Sequence, residues 1–457
     1  MTGVNVLTQA AALITFPIYA RYLQVEDFGL LDYIVLVGVF AGVVSSVESH
    51  QALIRLLPDQ ETPREKKRLI SSVIWFNVTL SGIAAIAAVC WAKHTEGRIF
   101  GLEVSFQMVV VAAVNWFISQ IKQQLIAIHR ALLEMSSVAR ISFFGFIVQI
   151  SVGLTAVAGL NLGVFGVFLA LLCGNSIQLV FLAWNKRSCI QVTLVPSVLI
   201  QAIRFSAPLA ISSLAGLGWI YTDRYIAKEV LGLHEMGLLG VGYRFAGVIG
   251  LLTSAVSMVL SPLIYTCHEE RGSAKKIADL FGGYVALGSV AVVGFAGYSP
   301  LILGLMAPQS YLSAASLFPI ICGTLLGTAA CSFFPGLILA QKTKQYAAIQ
   351  ILGLAVNVPL SLFAINITGV EGVCLASLFT SIFVCLCLAL TGHRYYLVPV
   401  DLPKITIVLS VALVISVFLL NIPETQPWGS WVGLAAPWGM VLLVFILRLI
   451  PLPAHSH

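Results

Sequence analysis

Residues 369–391 read GVEGVCLASLFTSIFVCLCLALT, an unbroken apolar run in which Glu371 is the only charged side chain. A helix needs about 20 predominantly apolar residues to cross the hydrocarbon core of a bilayer, and this run is long enough. Its apolar residues are continuous and do not alternate every two positions, which argues against a strand. The run therefore predicts a membrane-spanning helix.

The rest of the chain has the same character. Of its 457 residues, 59% are apolar and only 10% are charged, whereas globular domains carry about 25% charged residues. With 25 basic and 19 acidic side chains, the chain cannot cover the surfaces of several soluble domains, so the expected solvent is lipid. The net charge of +6 is small and scattered, and we expect no nucleic-acid partner.

Fourteen apolar stretches predict an all-α polytopic membrane protein. The stretches are 3–20, 29–47, 69–92, 104–121, 141–158, 162–184, 205–223, 237–261, 277–297, 313–340, 346–367, 369–391, 405–421 and 431–450. The first is no cleavable signal, because it lacks a basic region and polar residues interrupt it. The spacers at 159–161 and 368 leave room only for tight turns, so the helices that they join are expected to be antiparallel neighbours.

Two pairs of segments indicate an internal repeat. Residues 163–172, GVFGVFLALL, match residues 369–378, GVEGVCLASL, at seven of ten positions and an offset of 206. Residues 27–31, DFGLL, parallel residues 235–239, EMGLL, at an offset of 208. Equivalent segments are six stretches apart, an even number, so the two halves have the same orientation in the membrane. Parallel repeats are a transporter architecture with the binding site between the halves.

The repeat predicts a division of the chain into four parts. Residues 1–184 form an N-terminal six-helix lobe, 185–204 a cytoplasmic linker, and 205–391 a C-terminal six-helix lobe. Residues 392–457 add two further membrane helices and a tail. Three GxxxG spacings, Gly38/Gly42, Gly159/Gly163 and Gly323/Gly327, suit close contacts between helices.

The distribution of basic residues predicts the orientation. Nineteen of the 25 Lys and Arg residues fall in the termini or in the connections after even-numbered stretches, and the largest cluster comprises Arg55, Arg64, Lys66, Lys67 and Arg68. Five fall on the opposite side, and Arg244 lies within a stretch. Because Lys and Arg accumulate in cytoplasmic loops, we place both termini in the cytoplasm.

Arginine residues are the candidate substrate-binding groups, because charged side chains within a membrane are costly and indicate function. Arg244 lies about eight residues inside its stretch with no adjacent carboxylate. It either snorkels or pairs with another helix, or lines a cavity and binds an anion. Arg21 and Arg55 follow the first and second stretches. Each is either an interfacial anchor or, with Arg244, part of a set that contacts phosphate through bidentate guanidinium groups.

Three further residues are candidates for gating or coupling. Asp223 and Arg224 close the seventh stretch near the outer interface, where a structural ion pair is the alternative interpretation. Glu48 closes the second stretch on the inner side. Amide side chains within the stretches are expected to hydrogen bond neighbouring helices; they are Asn115, Asn175 and Asn357.

Several kinds of chemistry have no motif in this chain. It contains neither a G-x-x-x-x-G-K-[ST] loop nor an H-E-x-x-H pair, and its nine cysteines form no Cys-x-x-Cys. We therefore expect no cofactor and no metal. No connection exceeds about 25 residues, whereas membrane enzymes that act on long glycans usually have a sizeable outer domain, so we expect no enzyme.

A set of motifs in fixed order resembles one family. The motifs are FPIYARYL at 16–23, EDFG at 26–29, FSAP at 205–208, TDRY at 222–225, EMG at 235–237, SPL at 261–263, YLSA at 311–314, Asn357, and GVEGVCLA at 369–376. Together they resemble Wzx-type polysaccharide flippases, a family of the multidrug/oligosaccharidyl-lipid/polysaccharide exporter superfamily. The resemblance covers about residues 3–391, and the last two stretches carry little of it.

The resemblance implies a bacterial inner-membrane protein whose two six-helix lobes surround a central cavity and work by alternating access. It implies a substrate that is an oligosaccharide on undecaprenyl pyrophosphate, moved to the outer leaflet for O-antigen, capsule or exopolysaccharide synthesis. A polysaccharide polymerase is a candidate partner. Arg21, Arg55 and Arg244 are similar in placement to cavity arginines of the related lipid II flippases.

Two other functions are weighed against this one. A multidrug/cation antiporter of the same superfamily should carry carboxylates deep within its helices, yet every carboxylate here maps to the end of a stretch or to a connection. That pattern favours an anionic substrate. A glycan-processing membrane enzyme should cluster acidic or basic residues in an outer loop, and the sequence contains no such cluster.

Overall fold

The computed structural model describes residues 15–95, 98–99, 102–265, 270, 272–340, 342–420 and 427–447. After a helical turn at 15–19, the first half of the chain forms a series of helices joined by short turns. They are α1 (Val25–Ser46), α2 (Ser49–Leu56), α3 (Pro63–His94), α4 (Phe106–Ala131), α5 (Met135–Gly153), α6 (Gly163–Lys186) and α7 (Pro196–Leu231). Two strands of two residues each, β1 (Arg98–Ile99) and β2 (Leu102–Glu103), pair in an antiparallel hairpin.

The second half is also helical. Its helices are α8 (Leu233–Ala246), α9 (Ile249–Tyr265), α10 (Ser273–Met306), α11 (Leu317–Ala330), α12 (Gly336–Leu339), α13 (Thr343–Thr368), α14 (Val370–Gly392), α15 (Leu402–Leu420) and α16 (Pro427–Ile446). The chain divides into two compact units, and the boundary between them falls at Leu217 and Gly218, inside α7. The division into lobes at 184 and 205 stays a prediction.

Most of the apolar stretches lie in long apolar helices, as predicted. Ten described helical segments are long and apolar enough to cross a membrane, and an eleventh results if α8 and α9, which meet at a bend of 45°, are one span. The all-α polytopic fold is thus confirmed, whereas the number of fourteen spans is not. Of the stretch predicted over 3–20, only residues 15–20 are among those described.

Helix α4 differs from its predicted stretch, 104–121. It continues to Ala131 and carries Lys122, His129 and Arg130 along its second half. Lys122, which follows the predicted stretch, therefore lies inside the helix and not in a loop. The apolar run ends near residue 121 because the side chains become polar, but Gln, Lys and His continue a helix, and neither Gly nor Pro interrupts it.

The largest basic cluster is also helical and lies in no loop. Thr62 and Glu65 form a capping box at the start of α3, in which Thr62 Oγ1 accepts from the Glu65 amide at 3.2 Å and Glu65 Oε2 accepts from the Thr62 amide at 3.1 Å. Pro63 occupies the first helical position, where its missing N–H is harmless. Arg64, Lys66, Lys67 and Arg68 therefore belong to the first two turns of α3, a correction to their predicted place in a connection.

The two tight turns that the spacers predict are confirmed. Helices α5 and α6 pack against each other, and so do α13 and α14. Gly163 at the start of α6 has φ +56° and Gly369 before α14 has φ +64°, a region that favours glycine. These two glycines are equivalent in the repeat, so both halves reverse the chain with the same backbone device.

Two of the three GxxxG pairs make close helix contacts. A Cβ at Gly38 would lie 3.1 Å from Trp116 and one at Gly42 would lie 2.7 Å from Gln120, so that α4 packs closely on α1. In the second unit, Gly323 and Gly327 receive Leu378 and Ser381 of α14. The third pair, Gly159/Gly163, is wrong as a contact, because a Cβ at either glycine would meet open space. These glycines serve the turn before α6.

The last two helices pack on α10. Val293 of α10, Val408 of α15 and Met440 of α16 are fully buried within one apolar cluster. The backbones of α10 and α16 approach most closely at Gly297 and Gly433, where a Cβ on Gly297 would lie 2.2 Å from the Gly433 carbonyl oxygen. Backbone cannot move aside as a flexible side chain can, so this crossing requires glycine.

Gly297→Ala should therefore destabilise the packing of α16 on α10. We expect lower yield of folded protein and a lower melting temperature in detergent, measured by size exclusion after heating. The matched control is Gly294→Ala on the same helix, where a Cβ meets no atom within 4 Å. Equal melting of the two variants would contradict the close crossing.

Candidate functional site

Asp223 lies at the centre of a buried polar cluster in the second unit. Its side chain is fully buried, and it accepts a short hydrogen bond from the hydroxyl of Tyr243 in α8. The backbone amide of Arg224 donates to the other carboxylate oxygen at 2.7 Å. A buried carboxylate is tolerated only with such donors, so Asp223 ties α7 to α8.

The Arg224 guanidinium completes this cluster. Its Cζ lies 3.9 Å from the centre of the Tyr243 ring and 4.9 Å from that of Tyr221, distances at which a cation is attracted to an aromatic face. It also interacts electrostatically with Asp223. Cys374, in the first turns of α14, is close enough to interact electrostatically with both Asp223 and Arg224. The predicted pair Asp223–Arg224 is thus present, and two tyrosines hold it.

The position of Asp223 corrects one premise of the sequence analysis. Helix α7 runs from Pro196 to Leu231, beyond the predicted stretch 205–223 at both ends. Asp223 therefore lies about 12 Å before the end of the helix at 1.5 Å per residue, and not at its end. Arg224 and Lys228 are polar residues that the helix tolerates, which is why the apolar run ends early.

Arg244 lies in the last turn of α8. The helix begins at Leu233, so that Arg244 is eleven residues, about 17 Å, from its start. The side chain is half-buried, and the neighbouring Phe245 stacks on Phe318 of α11 with ring centres 5.0 Å apart. The 45° bend to α9 follows directly. A cation here is favoured by the carbonyl groups that end α8.

Arg55 lies on α2, a short helix separate from α1. Val47 and Glu48 have positive φ of 48° and 54°, so the chain breaks between α1 and α2. The Arg55 guanidinium is exposed and pairs with Asp59 at 2.5 Å. A cavity of about 390 Å³ adjoins the pair. Its lining comprises Gln51, Ile54, Arg55, Pro58, Asp59, Phe205 and Leu209.

Glu48 lies at the break between α1 and α2 and is nearly buried. Its carboxylate is 3.4 Å from Nε2 of His50. Burial raises the pKa of Glu48, whereas hydrogen bonds from Ser213 and Gln51 lower it. Burial, with the nearby Arg130, lowers the pKa of His50 to about 4, so at neutral pH the imidazole is uncharged. The contact is then not an ion pair.

Arg21 is exposed in the turn before α1. The 22-residue helix α1, about 33 Å long, lies in the chain between Arg21 and the segment that carries Glu48 and Arg55. The structure therefore associates Arg55 with Asp59 and Glu48 with His50, and it does not bring Arg21 to either pair. Arg21 and Arg55 belong to the first unit, and Arg244 belongs to the second.

Several residues that contact these charged side chains could not be recognised from the sequence. Tyr243 is one residue from Arg244, and a helix of 3.6 residues per turn directs their side chains differently, but the pattern alone does not say which faces Asp223. His50 and Asp59 escape notice because their partners are only two and four residues away. Within the described residues, no group of three or more His, Cys, Asp or Glu could hold a metal ion.

The fold defines the class of protein. A structure of the lipid II flippase MurJ in an inward closed conformation superimposes with a TM-score of 0.69 and 14% identity, covering 97% of this chain and 96% of that one. An inward-facing multidrug resistance MATE family transporter of the MOP superfamily superimposes with a TM-score of 0.66 and 15% identity, covering 84% and 94%. The chain therefore has the fold of the MOP superfamily transporters.

The family follows from the sequence. A family model described as "Polysaccharide biosynthesis protein" matches residues 18–316, and the chain belongs to this family. The EPS I polysaccharide export inner membrane protein EpsE of Ralstonia solanacearum is 24% identical over 337 residues, which is 69% of this chain and 73% of EpsE. The resemblance to Wzx-type flippases is confirmed, and the chain is a multi-pass inner membrane protein of the polysaccharide export type.

Removal of the Tyr243 hydroxyl tests whether the buried cluster stabilises the fold. Tyr243→Phe should lower the stability of the folded protein by about 1–3 kcal/mol, because it removes a donor from a buried carboxylate. Thermal unfolding in detergent measures the change. The matched control is Tyr225→Phe, since Tyr225 is 51% exposed and its hydroxyl should be dispensable. If the cluster does not stabilise the fold, both variants will have the same melting temperature.

Proposed function

We propose that this protein is a translocase that flips oligosaccharide repeat units linked to undecaprenyl pyrophosphate from the cytoplasmic to the outer leaflet by alternating access. The observation that carries the proposal is Arg244, a half-buried arginine about 17 Å along a membrane helix, in a chain of the polysaccharide biosynthesis family. The names of MurJ, a lipid II flippase, and of EpsE, a polysaccharide export protein, support a lipid-linked saccharide as the substrate.

Physical chemistry supports an arginine-lined path. A pyrophosphate with sugars cannot enter hydrocarbon alone, because its polar groups would lose their hydration. Guanidinium groups replace part of that hydration through bidentate hydrogen bonds. The lipid tail needs no such help, so that it can stay in the bilayer while the head group passes through the protein.

The two arginines of the first unit suit opposite ends of this path. In the topology that we propose, with both termini cytoplasmic, Arg55 lies on the cytoplasmic side and Arg21 on the outer side. Arg55 is paired with the exposed Asp59, and exposed ion pairs contribute only about 0–1 kcal/mol. An entering phosphate can therefore replace Asp59 at little cost. Asp223 and Arg224, inside α7, and Glu48, at the break between α1 and α2, take gating or coupling roles.

The sequence has no motif for ATP hydrolysis, so another source of energy sets the direction of transport. An ion gradient, or consumption of the flipped product by a polysaccharide polymerase, would drive net transport. The glycan belongs to O-antigen, capsule or exopolysaccharide, and no step of this transport forms or breaks a covalent bond.

A multidrug/cation antiporter is the second candidate. Asp223 favours it, because this carboxylate lies within α7 and is fully buried, contrary to the expectation that every carboxylate is at a helix end. The MATE transporters with the same fold also favour it. Against it, the charge of Asp223 is offset by Arg224, and Tyr243 donates a hydrogen bond to it, so this carboxylate is already occupied.

Arg244→Ala should abolish glycan export while the protein still reaches the membrane, because the variant removes a charge that the head group needs. Arg244→Lys should recover only part of the activity, since an ammonium lacks the bidentate fork. Surface glycan and membrane-fraction protein are measured together. The matched control is Arg394→Ala, an exposed arginine in the turn after α14. Normal export by Arg244→Ala would refute the substrate role.

A deletion strain distinguishes the two candidate functions. It should accumulate lipid-linked repeat units on the inner leaflet, scored by resistance of the glycan to a membrane-impermeant glycosidase in spheroplasts. Complementation with the wild-type gene should remove the accumulation. Unchanged surface glycan with altered drug susceptibility would support the antiporter instead.

A further inference from the structure

Lys122 forms a polar cluster in the first unit that the proposed function does not use. Its ammonium donates to Asn175 Oδ1 at 2.5 Å and to Gln178 Oε1 at 3.3 Å, both on α6. The Asn175 amide in turn donates to Asn115 Oδ1 on α4 at 2.8 Å. Amide contacts between helices were expected for Asn115 and Asn175, and the lysine at their centre is new.

The ammonium lies beside the middle of a helix that is long and apolar enough to span a bilayer. Asn175 is at the middle of α6, which runs from Gly163 to Lys186 and is apolar enough to span a bilayer. At 1.5 Å per residue, Asn175 is about 17 Å from either end of that helix. Lys122 Nζ, within hydrogen-bond distance of Asn175, shares this depth.

The charge of Lys122 has no internal counter-charge. Within the described residues its ammonium makes no ion pair with a carboxylate, and its acceptors are two neutral amide oxygens. A lysine at the centre of a membrane-spanning helix is costly to insert. Two amide dipoles offset part of that cost, but they do not neutralise a full charge. One of the three N–H groups of the ammonium also has no acceptor among these contacts.

Packing alone does not require the cluster, because the second half of the repeat manages without it. At the offset of 206, Lys122 corresponds to Thr328 of α11, and Asn175 corresponds to Ser381 of α14. There the same helix pair packs through Gly327 against Ser381. Thr328 and Ser381 hydrogen bond only to carbonyl groups of their own helices, at 2.8 Å and 2.7 Å.

We infer that Lys122, held by Asn175 and Gln178, is a binding site in the first unit for an anionic oxygen of the transported substrate. The inference rests on the proposed function, because it takes the substrate to be anionic. An ammonium is a compact point charge that binds phosphate or carboxylate oxygen. The oxygen comes from the pyrophosphate or from an acidic sugar attached to it, and the third N–H of Lys122 donates to it.

Asn175→Asp tests this site more sharply than removal of the lysine. The variant places a carboxylate at the position of Oδ1, 2.5 Å from Nζ, and so gives Lys122 an internal counter-ion. If the ammonium serves only packing, the new ion pair preserves folding and transport. If it binds an anionic oxygen, the protein stays folded but the site is already neutralised. The matched control is Asn366→Asp, the same change at an exposed asparagine of α13.

The measurement is binding to the purified full-length protein in detergent, with two probes. The first probe is undecaprenyl pyrophosphate, with undecaprenol as its uncharged control, and the second is an oligosaccharide that bears glucuronate. We expect Asn175→Asp and Lys122→Met to weaken binding of one probe by about tenfold or more. The probe that is affected identifies the source of the oxygen. Asn366→Asp should bind as the wild type does.

The inference is overturned if the wild type binds neither probe, or if Asn175→Asp and Lys122→Met bind both probes as the wild type does. If Asn175→Asp does not fold, the binding measured with Lys122→Met is the test. If Lys122→Met does not fold, the binding measured with Asn175→Asp is the test. The proposed function is judged separately by complementation of the deletion strain. Complementation by the wild type together with unimpaired export by Asn175→Asp would retain the flippase and remove the Lys122 site.

Discussion

A charge within a bilayer must be compensated inside the protein, since water is absent there. This constraint explains the arrangement of the polar residues in each unit. Asp223 is compensated by a tyrosine hydroxyl, a backbone amide and a neighbouring guanidinium. Lys122 has amide oxygens only, and Arg244 lies where a helix ends. A charge that is fully compensated inside the protein has little left to attract a ligand. Asp223 is compensated by an opposite charge and two hydrogen-bond donors, whereas Lys122 is not compensated by any charge within the described part of the chain.

The same absence of water shapes the packing. Lipid does not drive helices together as water does, so contact relies on close approach of the backbones and on hydrogen bonds between helices. Gly38 and Gly42 admit Trp116 and Gln120, and the Trp116 indole then donates to the Gly38 carbonyl at 2.7 Å. Small and polar residues act together at this contact. One face of α4 thereby packs on α1, and a different face presents Lys122 to α6.

Much of the fold follows from hydropathy, because a bilayer requires helices of a certain length and excludes lone strands. The tight turns before α6 and α14 could be predicted because the spacers admit nothing else. Helix ends could not be predicted as well. Apolar runs stop where side chains become polar, whereas helices stop where backbone hydrogen bonds do, and in α4 and α7 these points differ by about eight to ten residues. Lys122 and Asp223 therefore lie inside helices, whereas the apolar runs place them at or beyond a helix end.

The candidate site could be predicted less fully for a related reason. Single charges such as Arg244 stand out in an apolar sequence, so the arginine candidates could be chosen from sequence alone. Their partners could not, because Tyr243 and Asp223 are twenty residues apart and meet only through the packing of two helices. Asn175 and Lys122 are farther apart still, with 52 residues between them.

The break between α8 and α9 has a mechanical consequence. A gap of two residues, Gly247 and Val248, interrupts the helix and leaves a 45° bend directly after Arg244. Helix α9, 17 residues long, extends about 25 Å beyond this gap. A rotation of about 10° at the gap would move its far end by about 4 Å at that length, while Arg244, next to the pivot, would hardly be displaced. In the function that we propose, Arg244 would therefore keep its contact with the head group while α9 moves.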